Sequence, residues 1–164
     1  MNRFVKSSLI ALCALASTSA VIAQDGGASG PPSPEQQAEQ ATLTRQGLLK
    51  VVGFYMGPLG GMLKNKVPFD AAKAGDNAAH IAQLGSMIPD VFVFDTRQAT
   101  SIKTKAKEGI WTNSGDFKAK ADDLVKAANA LAEAAKSGDK GTTLKAAAAV
   151  GKACGACHDD YRNK

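Results

Sequence analysis

The stretch Ala153 to Arg162 reads ACGACHDDYR, and it constrains the fold more than any other part of the chain. Cys154, Cys157 and His158 stand at i, i+3 and i+4. They share one face only if this stretch is an α-helix. The residues leading into it, KAAAAVGKACGAC, are small on nearly every side. Such a helix cannot fill a groove with its own side chains, so its neighbours must come close. The composition agrees: 45% of residues are hydrophobic but only 5% aromatic. Alanine-rich chains of this kind suit packed helices better than a sandwich of strands.

The first 23 residues are expected to lie outside the fold. Arg3 and Lys6 precede an apolar run from Leu9 to Leu15, followed by small residues up to Ala23. This is the pattern of an export signal peptide over 1–23, cleaved near Ala23, and it implies a periplasmic protein. Its apolar run is too short to span a bilayer, and no later run is apolar enough to do so. Removing it takes the chain from 164 to 141 residues. The formal charge falls from +5 to +3, because Arg3 and Lys6 go with it. So mild an excess gives no reason to expect nucleic acid binding. Of three cysteines only Cys154 and Cys157 remain, and no disulfide framework can be built from that pair.

Residues 24–34, QDGGASGPPSP, read as a disordered lead-in, and 35–164 as the folded domain. Ser33-Pro34-Glu35 opens a first helix expected to run from Glu35 to Met62, with Leu48, Leu49, Val52, Met56 and Leu59 at helical spacing. Gly57, Pro58, Gly60 and Gly61 are expected to loosen its end. A second helix is expected from Asp70 to about Met87. From Pro89 to Asn113 the periodicity breaks. VFVFD resembles a strand but has no partner, so this is a long loop with short turns, closed by Ile110-Trp111. Ser114 or Asp116 would cap a third helix that stops at Gly138, and Asp139 a fourth that carries the cluster. The expected architecture is all-α, an antiparallel four-helix bundle with a long loop between helices 2 and 3.

C-x-x-C-H is the attachment signature of c-type haem. Two thiols on one helix face can form thioethers with the vinyl groups of one porphyrin, while the imidazole reaches the iron. Gly155 and Ala156 let the macrocycle lie against the backbone. A structural zinc site needs four ligands, and His80 is the only other histidine. A redox-thiol motif belongs early in a helix after a strand, whereas this one is late in a terminal helix. A second axial ligand would have to come from upstream: Met56, Met62, Met87 or His80. Each also has a plainer reading, the methionines as core and His80 as surface.

From about Leu43 to Arg162 the chain resembles the cytochrome c prime family. The resemblance rests on RQGLL (Arg45 to Leu49), PFDAA (Pro68 to Ala72), Ile110-Trp111, FKAKADDL and the terminal CGACHDDYR. It implies a four-helix bundle, usually a homodimer through its first two helices, with a five-coordinate, high-spin haem c. Cys154 and Cys157 would be the covalent anchors and His158 the axial iron ligand. Arg162 would be the basic residue beside that ligand, or simply a cation favoured at a helix C-terminus. Arg45 and Gln46 match a pair at the haem edge near a propionate, or else a solvated face. Thr104 and Lys105 fall where the loop approaches the same edge. Leu49 stands where low-spin relatives carry an iron-binding Met. It cannot coordinate, so the distal side would be apolar. Either Phe92 or Phe94 could supply an aromatic over the haem.

An iron with an apolar, hydroxyl-free distal side offers a bound gas no hydrogen bond. That handicaps oxygen more than nitric oxide or carbon monoxide. The expected function is therefore electron transfer, gas binding, or both, with an unidentified redox partner and no enzymatic turnover. Acid–base catalysis would want polar distal groups. The alternative is a low-spin, six-coordinate electron carrier using Met56, Met62 or His80.

Overall fold

The computed structural model describes residues 30–99 and 101–164. The signal peptide expected over 1–23 and most of the 24–34 lead-in lie outside the described residues. Four long helices and two short ones follow in order: α1 (Pro34–Leu63), α2 (Ala71–Ser86), α3 (Ile88–Val91), α4 (Gly109–Thr112), α5 (Ser114–Ala135) and α6 (Lys140–Tyr161).

Three of the long helices start where their capping residues say. The Ser33 side chain accepts from the Gln36 backbone N–H at 3.2 Å, and the Gln36 side chain returns a bond to Ser33 at 2.8 Å. Asp70 accepts from Lys73 at 2.9 Å and Asp139 from Thr142 at 2.7 Å. Each satisfies one of the four unpaired N–H groups of a helix start. The start of α5 differs from expectation. Neither Ser114 nor Asp116 caps it. Asn113 occupies the cap without a side-chain bond, and Asp116 is committed elsewhere. The end of α1 differs too. It runs through Gly57, Pro58, Gly60 and Gly61 to Leu63. Proline costs a helix one hydrogen bond, but burial of Leu59 and Met62 on the turn around and after it holds the helix together.

The helices run up and down in turn. The position a Cβ on Gly75 would take lies 3.3 Å from the Ala135 Cβ, and that on Gly85 lies 3.2 Å from the Val125 side chain. As α2 descends from 75 to 85, α5 ascends from 125 to 135 in the opposite sense. Short turns make α1–α2 and α5–α6 antiparallel as well. The core between them is built of small residues, Ala74, Ala78, Ala128 and Ala147, around Ile81, Leu131 and Val150. These permit the close approach that alanine-rich faces require.

The Pro89–Asn113 connection is not a strand. Among the described residues the only bridge is an isolated one between Ala106 and Arg162. The connection holds the two short helices α3 and α4 and otherwise turns. It lies at the bundle end where α1 begins, α5 begins and α6 finishes.

Gly138 has φ +70° in the turn between α5 and α6. A Cβ there meets its own backbone in the left-handed region. Gly138→Ala should lower unfolding stability by about 1–2 kcal/mol, read as a lower thermal midpoint by circular dichroism at 222 nm.

Candidate functional site

Cys154, Cys157 and His158 lie in the last two turns of α6, which is continuous to Tyr161. The helix puts them on one face. Both thiols are half-buried against the core. Burial pushes both thiols' pKa values up, and Cys157 is pushed further by Cys154 beside it. His158 is held below the ordinary histidine range, first by burial and then by the nearby Arg162 cation. Both effects favour the neutral imidazole, the form that ligates a metal. Nothing crowds the space in front of Gly155.

One stripe of α1 turns toward the inside of the bundle. Ala38, Thr42, Arg45, Leu49, Val52, Met56, Leu59 and Met62 recur at three- and four-residue spacing. Most are buried, but Leu49 is 39% exposed, the most open member of an inward face. The register with α6 follows from one contact: the Met56 methyl lies 3.7 Å from where a Cβ on Gly151 would be. The two helices are antiparallel. Two turns back along α1 from Met56 is Leu49, and two turns forward along α6 from Gly151 is His158. Leu49 therefore sits level with His158. Two thiols, an imidazole and an exposed leucine across from them fit a flat, largely apolar group bearing a metal. Such a group supplies reversible one-electron chemistry and a metal coordination site.

Arg45 is not on a solvated face. It is only 3% exposed. Its Nε donates to the Val91 carbonyl at 2.8 Å, its Nη1 to Thr96 Oγ1 at 2.9 Å, and its Nη2 to the Phe94 carbonyl. Its guanidinium lies 4.8 Å from the centre of the Phe92 ring and 5.3 Å from that of Trp111. Gln46 is exposed. Phe92 is buried, edge-on to Phe117 at 5.0 Å. Phe94 is exposed. Thr104 and Lys105 are exposed, but their segment meets the end of α6: Asn163 donates to the Lys105 carbonyl at 2.8 Å, next to the Ala106–Arg162 bridge. Arg162 itself closes the helix by donating its backbone N–H to the His158 carbonyl at 3.1 Å. Among the candidate second ligands, Met62 is buried in the core. His80 is stacked on Tyr55 at 4.4 Å, and Met56 lies level with Gly151, so both are well over a turn from Leu49. Met87 is exposed at the end of α2.

Several residues around the site were not legible as such. Tyr161, one turn past His158, is buried, and its hydroxyl donates to Asp116 Oδ2 at 2.6 Å. Its ring meets Phe117 edge-on at 5.2 Å. Lys107 Nζ donates to the Asp159 carbonyl at 2.8 Å, and Lys120 pairs with Asp160 at 2.8 Å. Their sequence spacing, 45 residues for Tyr161 and Asp116, carries no local signal.

The bundle, the C-x-x-C-H at the end of its last helix and the apolar α1 face opposite define a four-helix c-type cytochrome. Comparison with known proteins agrees. The family described as Cytochrome C' matches residues 40–162. Cytochrome c' of Pararhodospirillum photometricum is 37% identical over 130 residues, covering 79% of this chain and 98% of that protein. Cytochrome c-556 of Agrobacterium tumefaciens is 38% identical over 122 residues, covering 73% and 92%. Among solved structures, cytochrome c prime from Shewanella frigidimarina superposes with a TM-score of 0.69 at 34% identity, covering 77% of this chain and 97% of that one. A nitric oxide complex of a mutant cytochrome c prime from Alcaligenes xylosoxidans gives 0.67 at 28%, with the same coverage. The chain belongs to the cytochrome c' family. It is a haem c protein, and Cys154 and Cys157 supply the two thiols for covalent attachment.

Burial and the Asp116 carboxylate push the Tyr161 pKa up to about 12. The folded chain thus holds this proton more tightly than the unfolded chain, whose tyrosine titrates near 10. The resulting stability is complete below pH 10 and is lost as pH rises toward 12. Thermal melts between pH 9 and 12 should show this loss in the native protein and a shallower one in Tyr161→Phe.

Proposed function

We propose that this chain is a periplasmic cytochrome whose haem iron is held by His158 on one side and left five-coordinate and high-spin on the other. It binds nitric oxide or carbon monoxide there and passes single electrons. The observation that carries this reading is Leu49: inward-facing, exposed, level with His158 and unable to coordinate. The positions of Met56, Met62 and His80 support it, because each lies well away from that level. The solved nitric oxide complex of a relative supports the ligand class. The export signal pattern over residues 1–23 supports the compartment. Arg162, beside the proximal ligand, and Lys105, at the same bundle end, would add positive charge near the iron.

An absorption spectrum of the ferrous holoprotein tests the coordination. A broad band without a sharp α-peak, shifted by carbon monoxide, is expected. Leu49→Met should bring a sulfur to the open side and produce a sharp α-band with slower carbon monoxide binding. A sharp α-band in the native protein, lost in Met56→Leu, Met62→Leu or His80→Ala, would instead establish the six-coordinate electron carrier.

The outward face of α1 supports a homodimer. Leu43, Val51 and Phe54 lie on it at helical spacing, and Phe54 is 72% exposed. An exposed apolar stripe on a helix is the kind of surface a second copy covers. Sedimentation should show a dimer for the native protein and a monomer for Phe54→Glu, with an unchanged haem spectrum.

A further inference from the structure

We propose that Arg45 is a positioning residue for ligand access: it clamps the Val91–Thr96 segment against α1 beside Leu49, and the clamped segment limits how large a ligand reaches the distal side. This rests on the gas-binding reading above and adds a determinant of its selectivity.

Phe92 anchors the start of the segment by burial in the core, but the backbone beyond it has little else to hold it. Its own backbone bonds are local: Phe92 to Pro89 at 3.1 Å, Val93 to Asp90 at 3.4 Å and Ala99 to Thr96 at 3.1 Å. None of these reaches the bundle. The long-range bonds come from two side chains. Arg45 takes the carbonyls of Val91 and Phe94 and the hydroxyl of Thr96, and Trp111 Nε1 donates to the Phe92 carbonyl at 2.9 Å. The guanidinium also lies against the rings of Phe92 and Trp111. What the clamp leaves outside is apolar: Val93 is 81% exposed and Phe94 also stands free. Leu49 is one turn after Arg45 on α1, about 5–6 Å away between Cβ atoms. The segment is therefore anchored from a position one turn along α1 from Leu49. Three of the five guanidinium N–H groups are spent on the loop. Asp95, which also lies near Arg45, is paired outward with Arg97 at 2.6 Å and does not compete for the clamp.

The test uses the haem-loaded protein and the variants Arg45→Met, Arg45→Lys and Thr96→Val. Two quantities are read: hydrogen exchange of the amides from Val93 to Arg97, and the ferrous association rates of carbon monoxide and of the bulkier n-butyl isocyanide. Bonds to a charged donor are strong enough that Arg45→Met should speed exchange at these amides roughly tenfold or more. The isocyanide rate should rise by a larger factor than the carbon monoxide rate. Thr96→Val removes one bond and should move both readouts less, in the same direction. Arg45→Lys keeps the charge but not the three-way geometry, and should fall between native and Arg45→Met. Combining Arg45→Met with Thr96→Val should add little, since both break one contact. Unchanged exchange, or an unchanged ratio of the two rates, in both Arg45→Met and Thr96→Val overturns the proposal. If Arg45→Met does not accumulate, Thr96→Val and Arg45→Lys carry the same two readouts. If the native protein binds neither ligand, the gas-binding reading fails and the access role fails with it. Binding by the native protein with no change in the variants rejects the clamp alone.

Discussion

A guanidinium taken out of water must find partners for its donors, or its burial costs several kcal/mol. Arg45 finds them in a loop 46 to 51 residues further along the chain. That demand fixes the backbone of the loop, because two of the acceptors are carbonyls and can be offered only in one chain path. It also fixes which rings meet. Phe92 and Trp111 stack against the cation, Phe92 meets Phe117, and Phe117 meets Tyr161. One charged side chain on α1 is thus connected through four aromatic rings to the last turn of α6, where His158 sits.

The returning limb of the loop reaches the same turn from another side. The final carbonyls of a helix have no partners within it. Here the Asp159 carbonyl accepts from Lys107 Nζ, the Tyr161 carbonyl from the Lys107 backbone N–H at 3.0 Å, and the His158 carbonyl from Arg162. The end of α6 would otherwise fray, and the His158 side chain would lose its fixed place. The Lys120–Asp160 pair and the Tyr161–Asp116 bond tie it further to α5. His158 is positioned by tertiary contacts rather than by helix propensity.

The helical frame was legible because its signals are local. Ser33, Asp70 and Asp139 cap the helices they precede, and Gly138 supplies the one backbone conformation its turn requires. The attachment cluster was legible because the chemistry dictates the spacing. The setting of Arg45 was not. A sequence displays its charge, which argues for a solvated face, but its partners are mostly backbone carbonyls, which no side-chain pattern reveals. Asp116 stood at a plausible cap position, yet its bond to a buried tyrosine hydroxyl outweighs a cap that Asn113 holds without any side-chain bond. Pro58 argued for a loosened helix, and buried leucine and methionine side chains overrode it.

The loop is fixed at two places, by Arg45 and Trp111 over residues 91–96 and by the end of α6 over residues 105–107. Among the described residues, the stretch between them bears neither set of bonds. Lengthening a flexible connection costs little, about 0.6 kcal/mol for each doubling. A change in length between the two anchor points would therefore cost little and leave both the Arg45-bound segment and the turn that carries His158 in place. The bundle end is in this sense modular: a variable span hung between two fixed hinges, free to acquire new surface without disturbing the iron.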